Sequence, residues 1–186
     1  MEIEELKTRL EAEHHASYCW ALACCQRDPS EAEEVLQTVY LKILEGRARF
    51  RGDSSLRTWL FAVIRTTAVD RRRRQFLHGA RLLRLAEQLA GRRSSENVEE
   101  LFFKNQADES FHRALSSLST RQREALHLVF YHEMSVEEAG EAMGLSTGSA
   151  RTHYERGKRR MRELLERTEV CYGSGWRARA NRGEVS

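Results

Sequence analysis

Proline occurs once in the 186 residues, at Pro29, and alternating β-branched runs are scarce. With so few helix breakers and so little strand pattern, the chain reads as all-α. No apolar stretch approaches the roughly 20 residues that a membrane helix needs. The opening segment MEIEELKTRLEAEHH is acidic, where a secretory signal would be basic and then apolar. A cytoplasmic protein is the expectation. Cys19, Cys24, Cys25 and Cys171 form no repeated C-x-x-C arrangement, which argues against a disulfide framework. His15 and Cys19 are four apart and could share a helix face, but zinc would need two more ligands, so no metal or other cofactor is expected. Catalytic signatures are missing as well: there is no glycine-rich phosphate loop, no H-E-x-x-H pair, and no serine or cysteine with a recognisable base. Glu137 and Glu138 are adjacent, so on a helix they diverge by about 100° and do not converge on one substrate. No enzyme is expected.

What the chain does have is charge, and the charge is segregated. The formal net charge is only +3. Yet residues 28–45 set Asp28, Glu31, Glu33, Glu34 and Glu45 against Lys42, and residues 71–93 hold eight arginines and one glutamate. Residues 94–112 are acidic again. Such blocks point to different partners for different faces.

The strongest local pattern lies at residues 134–165. Val136, Ala139, Gly140 and Met143 recur at helical spacing, Gly144 stands where a left-handed C-cap belongs, and Ser146 or Thr147 can cap a following helix. This predicts a helix-turn-helix, with Gly140 at the closest approach of the two axes. In the second helix Ala150, Tyr154, Gly157, Met161 and Leu164 or Leu165 form an inward stripe. Over residues 146–162, Arg151, Arg156, Lys158, Arg159, Arg160 and Arg162 face a single acid, Glu155. That surplus suits phosphates.

Upstream, residues 3–25 read as one helical stretch with Leu6, Leu10, Tyr18, Leu22 and Cys25 inward. Asp28 and Pro29 start a second helix whose core stripe is Ala32, Val35, Leu36, Val39, Tyr40, Ile43 and Leu44. Its outer side carries Glu31, Glu33, Glu34, Gln37, Thr38 and Leu41. Spacing alone favours a merely solvated acidic face there. A basic loop at residues 47–55, containing Phe50, leads to a helix ending near Arg74, with Leu56, Trp59, Leu60, Val63, Ile64 and Thr67 on one side. Arginines with nearby aromatic rings offer charge for a phosphate backbone and surfaces for unstacked bases. Residues 76–110 read as a linker with transient or partner-dependent helix, for which Arg81 to Leu89 is a candidate. Residues 111–167 read as a second small domain in which Ser119 and Thr120 cap a helix with Ala125, Leu126, Val129 and Phe130 inward, and residues 168–186 as a disordered tail.

The blocks RDPSEAEEVLQTVYLKIL, TWLFAVIRTTAVDRRRR and ALSSLSTRQREALHLVFYHEMSVEEAGEAMGLSTGSARTHYERGKRRMRELL match a known pattern in order. Over about residues 10–165 the chain resembles the extracytoplasmic-function (ECF) group of bacterial sigma-70-type factors. The resemblance implies two helical domains and a promoter-specificity subunit for core RNA polymerase. It implies polymerase docking through Asp28, Glu31, Glu33, Glu34, Gln37 and Leu41, overturning the solvated reading of that face. It implies minus-10 promoter contacts by Phe50, Arg51, Ser54, Arg57, Thr58, Trp59, Arg65, Asp70, Arg73 and Arg74. The minus-35 duplex would be read by Thr147, Gly148, Ser149, Arg151, Thr152, Glu155, Arg156 and Arg159. An anti-sigma protein is a further implied partner. The chain departs from the family pattern at Thr66, usually asparagine, at Ala139-Gly140, usually Ile-Ala, and at Ala150 and His153, commonly valine and arginine.

A different reading is a dimeric repressor or activator that uses the helix-turn-helix alone. It leaves the acidic helix and the arginine-rich helix without an obvious dimer seam.

Overall fold

The computed structural model describes residues 3–89 and 114–167, with side chains over 4–78 and 114–165. The described residues are helices, turns and loops with no strand. The chain divides into two compact units, Met1–Leu101 and Phe102–Ser186.

In the first unit the expected opening helix is two, α1 (Ile3–Ala12) and α2 (His14–Cys24), interrupted at Glu13. The helical phase carries through the interruption: at about 100° per residue Ser17, Trp20 and Ala21 fall within about 60° of Leu6, whereas Tyr18, Leu22 and Cys25 fall about 100° or more away. Leu10 is buried as expected, but α2 turns Ser17, Trp20 and Ala21 inward, and Tyr18, Leu22 and Cys25 are only half-buried. Trp20 stacks on Phe61, ring centroids 5.9 Å apart, and its Nε1 donates to the Phe61 carbonyl at 3.0 Å. A fully buried indole thereby keeps its one polar group satisfied.

Gln26 and Arg27 take φ of 55° and 69° to turn the chain into α3 (Pro29–Leu44). Asp28 caps that helix by accepting from the Glu31 amide at 3.1 Å, and Pro29 occupies the first turn, where it forfeits no helical bond. Ala32, Val35, Leu36, Val39 and Ile43 are buried. Leu44, expected in the core, is 53% exposed. Twelve residues beyond Ala32 it points about 120° away from that stripe, and Ile43 holds the inner position in the last turn.

A loop with Gly46 and Gly52 at positive φ leads to α4 (Leu56–Leu89). Its start is organised by Ser55, whose hydroxyl accepts from the Thr58 amide at 3.0 Å. Thr58, Leu60, Phe61, Ile64, Thr67 and Ala68 are buried against α2 and α3, while Trp59 and Val63 are half-buried. The helix does not end near Arg74 but continues to Leu89, into the expected linker. Leucine, arginine, alanine and glutamine are good helix formers, and the single Gly79 costs only about 1 kcal/mol.

The second unit begins with a helical turn at residues 114–116 and buried Ala114 and Leu118. Then α5 (Thr120–Leu126) starts at the expected cap, where Ser119 and Gln122 exchange backbone and side-chain bonds in a capping box. It passes into a π-helical turn, His127–Tyr131, in which the His132 amide donates five residues back to the His127 carbonyl. The wider turn shifts the face: Leu128 is fully buried, and the expected Val129 and Phe130 are half-buried. Next come α6 (Val136–Met143) and α7 (Thr147–Arg167). The expected tail at residues 168–186, Cys171, and the linker residues 90–110 lie outside the described residues.

Candidate functional site

The helix-turn-helix forms as its spacing predicts. Ser135 and Glu138 make a capping box at the start of α6, so Glu138 serves the helix terminus. Gly144 ends α6 at φ 65°, and Ser146 caps α7 by accepting from the Ser149 amide at 3.3 Å. Gly140 sits at the crossing: a Cβ there would stand 3.2 Å from Ala150 Cβ and 3.3 Å from the Leu145 carbonyl oxygen. Arg121 reaches from α5 to the Met143 carbonyl at 3.1 Å, closing the far end of α6. Ala150, Tyr154, Gly157, Met161 and Leu165 pack inward.

The opposite face of α7 presents Thr147, Gly148, Ser149, Arg151, Thr152, Glu155, Arg156 and Arg159, all exposed. Thr152 holds the Gly148 carbonyl at 2.9 Å. Arg151 lies 3.7 Å from Glu137, and Arg159 3.9 Å from Glu163, contacts loose enough for either guanidinium to leave for a phosphate. Lys158 is withdrawn from this face: its side chain is mostly covered and its ammonium lies 5.2 Å from the Tyr154 ring centre.

In the first unit, Phe50 and Trp59 come together, ring centroids 5.4 Å apart and both half-buried, at the foot of the basic loop. Arg51 is exposed beside them and Ser54 is half-buried. Thr58 drops out of the candidate set because it is 1% exposed and its hydroxyl bonds Ser55 at 2.8 Å. Arg57 is engaged by Glu13 through two bonds of 2.8 and 3.1 Å, which tie α4 to the break after α1. Arg65 and Asp70 are half-buried, and Arg73 and Arg74 are exposed. Arg72, Arg73, Phe76 and Leu77 line a groove on the continued α4, with Phe76 74% exposed. Phe76 falls within the expected linker, and the helix formers around it are the sequence sign that α4 continues through it.

The acidic face of α3 keeps Glu33, Glu34, Gln37 and Leu41 exposed, and Leu41 is 54% accessible. Asp28 is occupied by its capping bond. Glu31 is not a free acid: Arg71 grips it through Nε at 2.6 Å, and Gln75 donates to it at 2.8 Å. Arg71 also bonds Glu34. The Arg71 hydrogen bond holds the Glu31 carboxyl below its ordinary range, against the opposing effect of burial. Nearby, burial, Glu31 and Asp28 push the Cys25 thiol up to about 11, so it is neutral at pH 7. His15 Nε2 and Cys19 Sγ do share a face, 3.8 Å apart, and among the described residues no third metal-ligating group joins them.

Two family models match the chain: sigma-70 region 2 over residues 12–76 and sigma-70 region 4 over residues 108–161. The first takes in the α3–loop–α4 assembly and the second the helix-turn-helix. The ECF RNA polymerase sigma factor SigX of Bacillus subtilis is 27% identical over 142 residues, covering 75% of this chain and 73% of that protein. The RNA polymerase sigma factor CarQ of Myxococcus xanthus is 29% identical over 153 residues, covering 80% and 83%. Among solved structures, the sigma factor RpoE of Bartonella quintana, in complex with the anti-sigma factor NepR, shares the fold. Its TM-score is 0.66 at 23% identity, over 88% of this chain and 98% of that one. With both regions of one family present in order, the chain belongs to the ECF group of the sigma-70 family of RNA polymerase sigma factors.

Proposed function

We propose that the two units of this sigma factor divide promoter recognition by the state of the DNA. The exposed face of α7, from Thr147 to Arg159, reads the minus-35 duplex in the major groove. Arginine on guanine, or Glu155 accepting from cytosine, would each add about 1 to 3 kcal/mol of discrimination. The Phe50–Trp59 pair with Arg51, Arg73 and Arg74 takes the opened minus-10 strand, stacking bases and neutralising backbone. The outer face of α3 docks on core polymerase through Glu33, Glu34, Gln37 and Leu41. The chain contributes position and electrostatics and no catalytic chemistry, and it works in the cytoplasm beside the polymerase. An anti-sigma protein is a fitting regulator, as in the Bartonella complex.

The observation that carries this reading is the clean division of α7 into a buried inner stripe, Ala150, Tyr154, Gly157, Met161 and Leu165, and a cationic outer face with few pairing acids. Run-off transcription with core polymerase tests it on promoters mapped by transcript starts after expression of the chain. The wild-type chain should give transcripts above the core-only background. Glu33→Lys should abolish most of them by weakening the core pull-down, with helical content unchanged. Equal pull-down by the variant would remove the docking assignment. An obligate dimer with palindromic footprints would replace the whole reading by that of a conventional repressor.

A further inference from the structure

The four consecutive arginines at positions 71–74 are split by the fold. Arg72, Arg73 and Arg74 are exposed, whereas Arg71 turns back across to α3. Its Nε and Nη2 donate to the two oxygens of Glu31 at 2.6 and 3.4 Å, and Nη2 also bonds Glu34. Gln75, one turn on, donates to the same Glu31 carboxylate. An arginine of the DNA-facing run therefore holds two carboxylates of the docking helix.

We propose that Arg71 is a positioning residue that couples the two surfaces of the first unit. While α3 is free, its guanidinium is held by Glu31 and Glu34. When a basic partner surface takes those carboxylates, it is released toward the phosphate-binding end of α4. This rests on the assignment of α3 as the docking helix.

The argument is electrostatic. Two acids beside the arginine run lower its attraction for phosphate, and they occupy one of its four cations. Cations of the partner would cancel both effects. The contact is suited to exchange, because Arg71 and Glu31 remain about one-third accessible and Glu34 about half, so water and partner charges can compete for them. Coupling of this kind is reciprocal: whatever factor docking adds to DNA affinity, DNA adds to docking.

The full-length chain and a dye-labelled oligothymidylate, a sequence-neutral single strand, provide the test. Glu31→Gln keeps the side chain's shape and removes its charge. It should raise the isolated chain's affinity for the oligonucleotide about threefold and steepen the log K against log salt slope by about 0.7, the increment for one added phosphate contact on a single strand. In an Arg71→Ala background the same substitution should leave the slope unchanged. Arg71→Ala alone should bind core polymerase a few-fold more tightly, because its carboxylates are unmasked. An unaltered slope in Glu31→Gln would overturn the proposal, as would weaker core binding by Arg71→Ala. Failure of the docking assignment has a separate signature: Glu33→Lys would retain core binding whatever the oligonucleotide titrations give.

Discussion

The two units pack helices by different means. In the first, large side chains fill the centre: Trp20, Leu60, Phe61 and Ile64 are completely buried. In the second, Leu128, Met143 and Met161 are buried as well, but two of the helix contacts are made at glycine. Gly140 faces Ala150, and Gly157 faces Gln122 and Leu126 with no room for a branched side chain. Their charges differ in the same way. The first unit sends polar side chains between elements, Glu13 to Arg57, Lys42 to Thr67, and Glu31 to Arg71. On α7 the ion pairs Glu155–Lys158, Glu163–Arg159 and Glu163–Arg160 stay within one helix, and Arg151 reaches Glu137 of α6 only loosely, at 3.7 Å. The surface of the first unit is thus tied to its fold by close bonds between elements, while the cationic face of α7 is held mainly by pairs along its own helix.

The largest effect should come from emptying the first core. Trp20→Ala removes a fully buried indole and orphans its bond to Phe61, which should cost about 3 to 5 kcal/mol. Denaturant unfolding followed by a probe in each unit should show the transition of the first unit moved and that of the second in place; equal movement of both would dissolve the contrast. Next, Gly157→Val should destabilise the second unit by about 1 to 3 kcal/mol through overpacking. The would-be Cβ already stands 3.2 Å from Gln122 Cβ and 3.3 Å from its carbonyl oxygen, and neither can swing away as a long side chain could. A neutral result would mean that α5 yields to α7 more readily than its backbone contact suggests.

What the sequence made legible follows where helices run unbroken. The inward stripe Ala150, Tyr154, Gly157, Met161 and Leu165 could be counted off because α7 keeps one phase for 21 residues. Trp20 was missed because a count by fours from Leu6 drifts about 40° at each step and reaches Tyr18 and Leu22 well off the buried face, whereas at about 100° per residue Ser17, Trp20 and Ala21 stay within about 60° of Leu6. Leu128 was missed because a π-helical turn inserts one residue per turn without a sequence mark. At the site, composition was enough to find the exposed arginines of α7. The Arg71–Glu31 contact joins positions 40 apart, and no local pattern could show that one arginine of four faces inward or that Thr58 is buried.

A smaller effect separates tied from untied charge. Arg156→Ala lies on the exposed face of α7, away from the inner stripe. It should leave stability within about 0.5 kcal/mol of wild type. If Arg156 contacts a phosphate, duplex promoter affinity should fall with the salt slope reduced by about one. If it reads a base, the loss should fall on one sequence position with the slope kept. Arg57→Ala, which breaks the double bond to Glu13, should instead lower stability, and identical behaviour of the two variants in melting and titration would erase the distinction.

The smallest effect concerns pH and confines itself to the first unit. The Glu31 carboxyl is held below its ordinary value, so between its folded and unfolded pKa the unfolded chain binds more protons, and stability rises with pH. The contribution of the Arg71 contact is complete above about pH 4.3 and is lost as pH falls through the lowered folded value. For a pair this accessible it amounts to about 0.2 to 1 kcal/mol. Cys25 works at the other end. Its raised thiol favours the folded state below about pH 8.5, and that contribution disappears as pH rises through about 11. Glu31→Gln should therefore flatten the acid limb of the first unit's stability curve and, by removing one of the charges that raise the thiol, also shift the alkaline limb slightly, whereas Cys25→Ala should change only the alkaline limb. Urea titrations across pH, read from tryptophan fluorescence in a Trp176→Phe background so that the signal comes from Trp20 and Trp59 of the first unit, separate the two. A changed acid limb in Cys25→Ala would show that the substitution disturbs the packing around the Glu31–Arg71 contact, because a thiol pushed up to about 11 stays protonated throughout the range in which the carboxylate titrates.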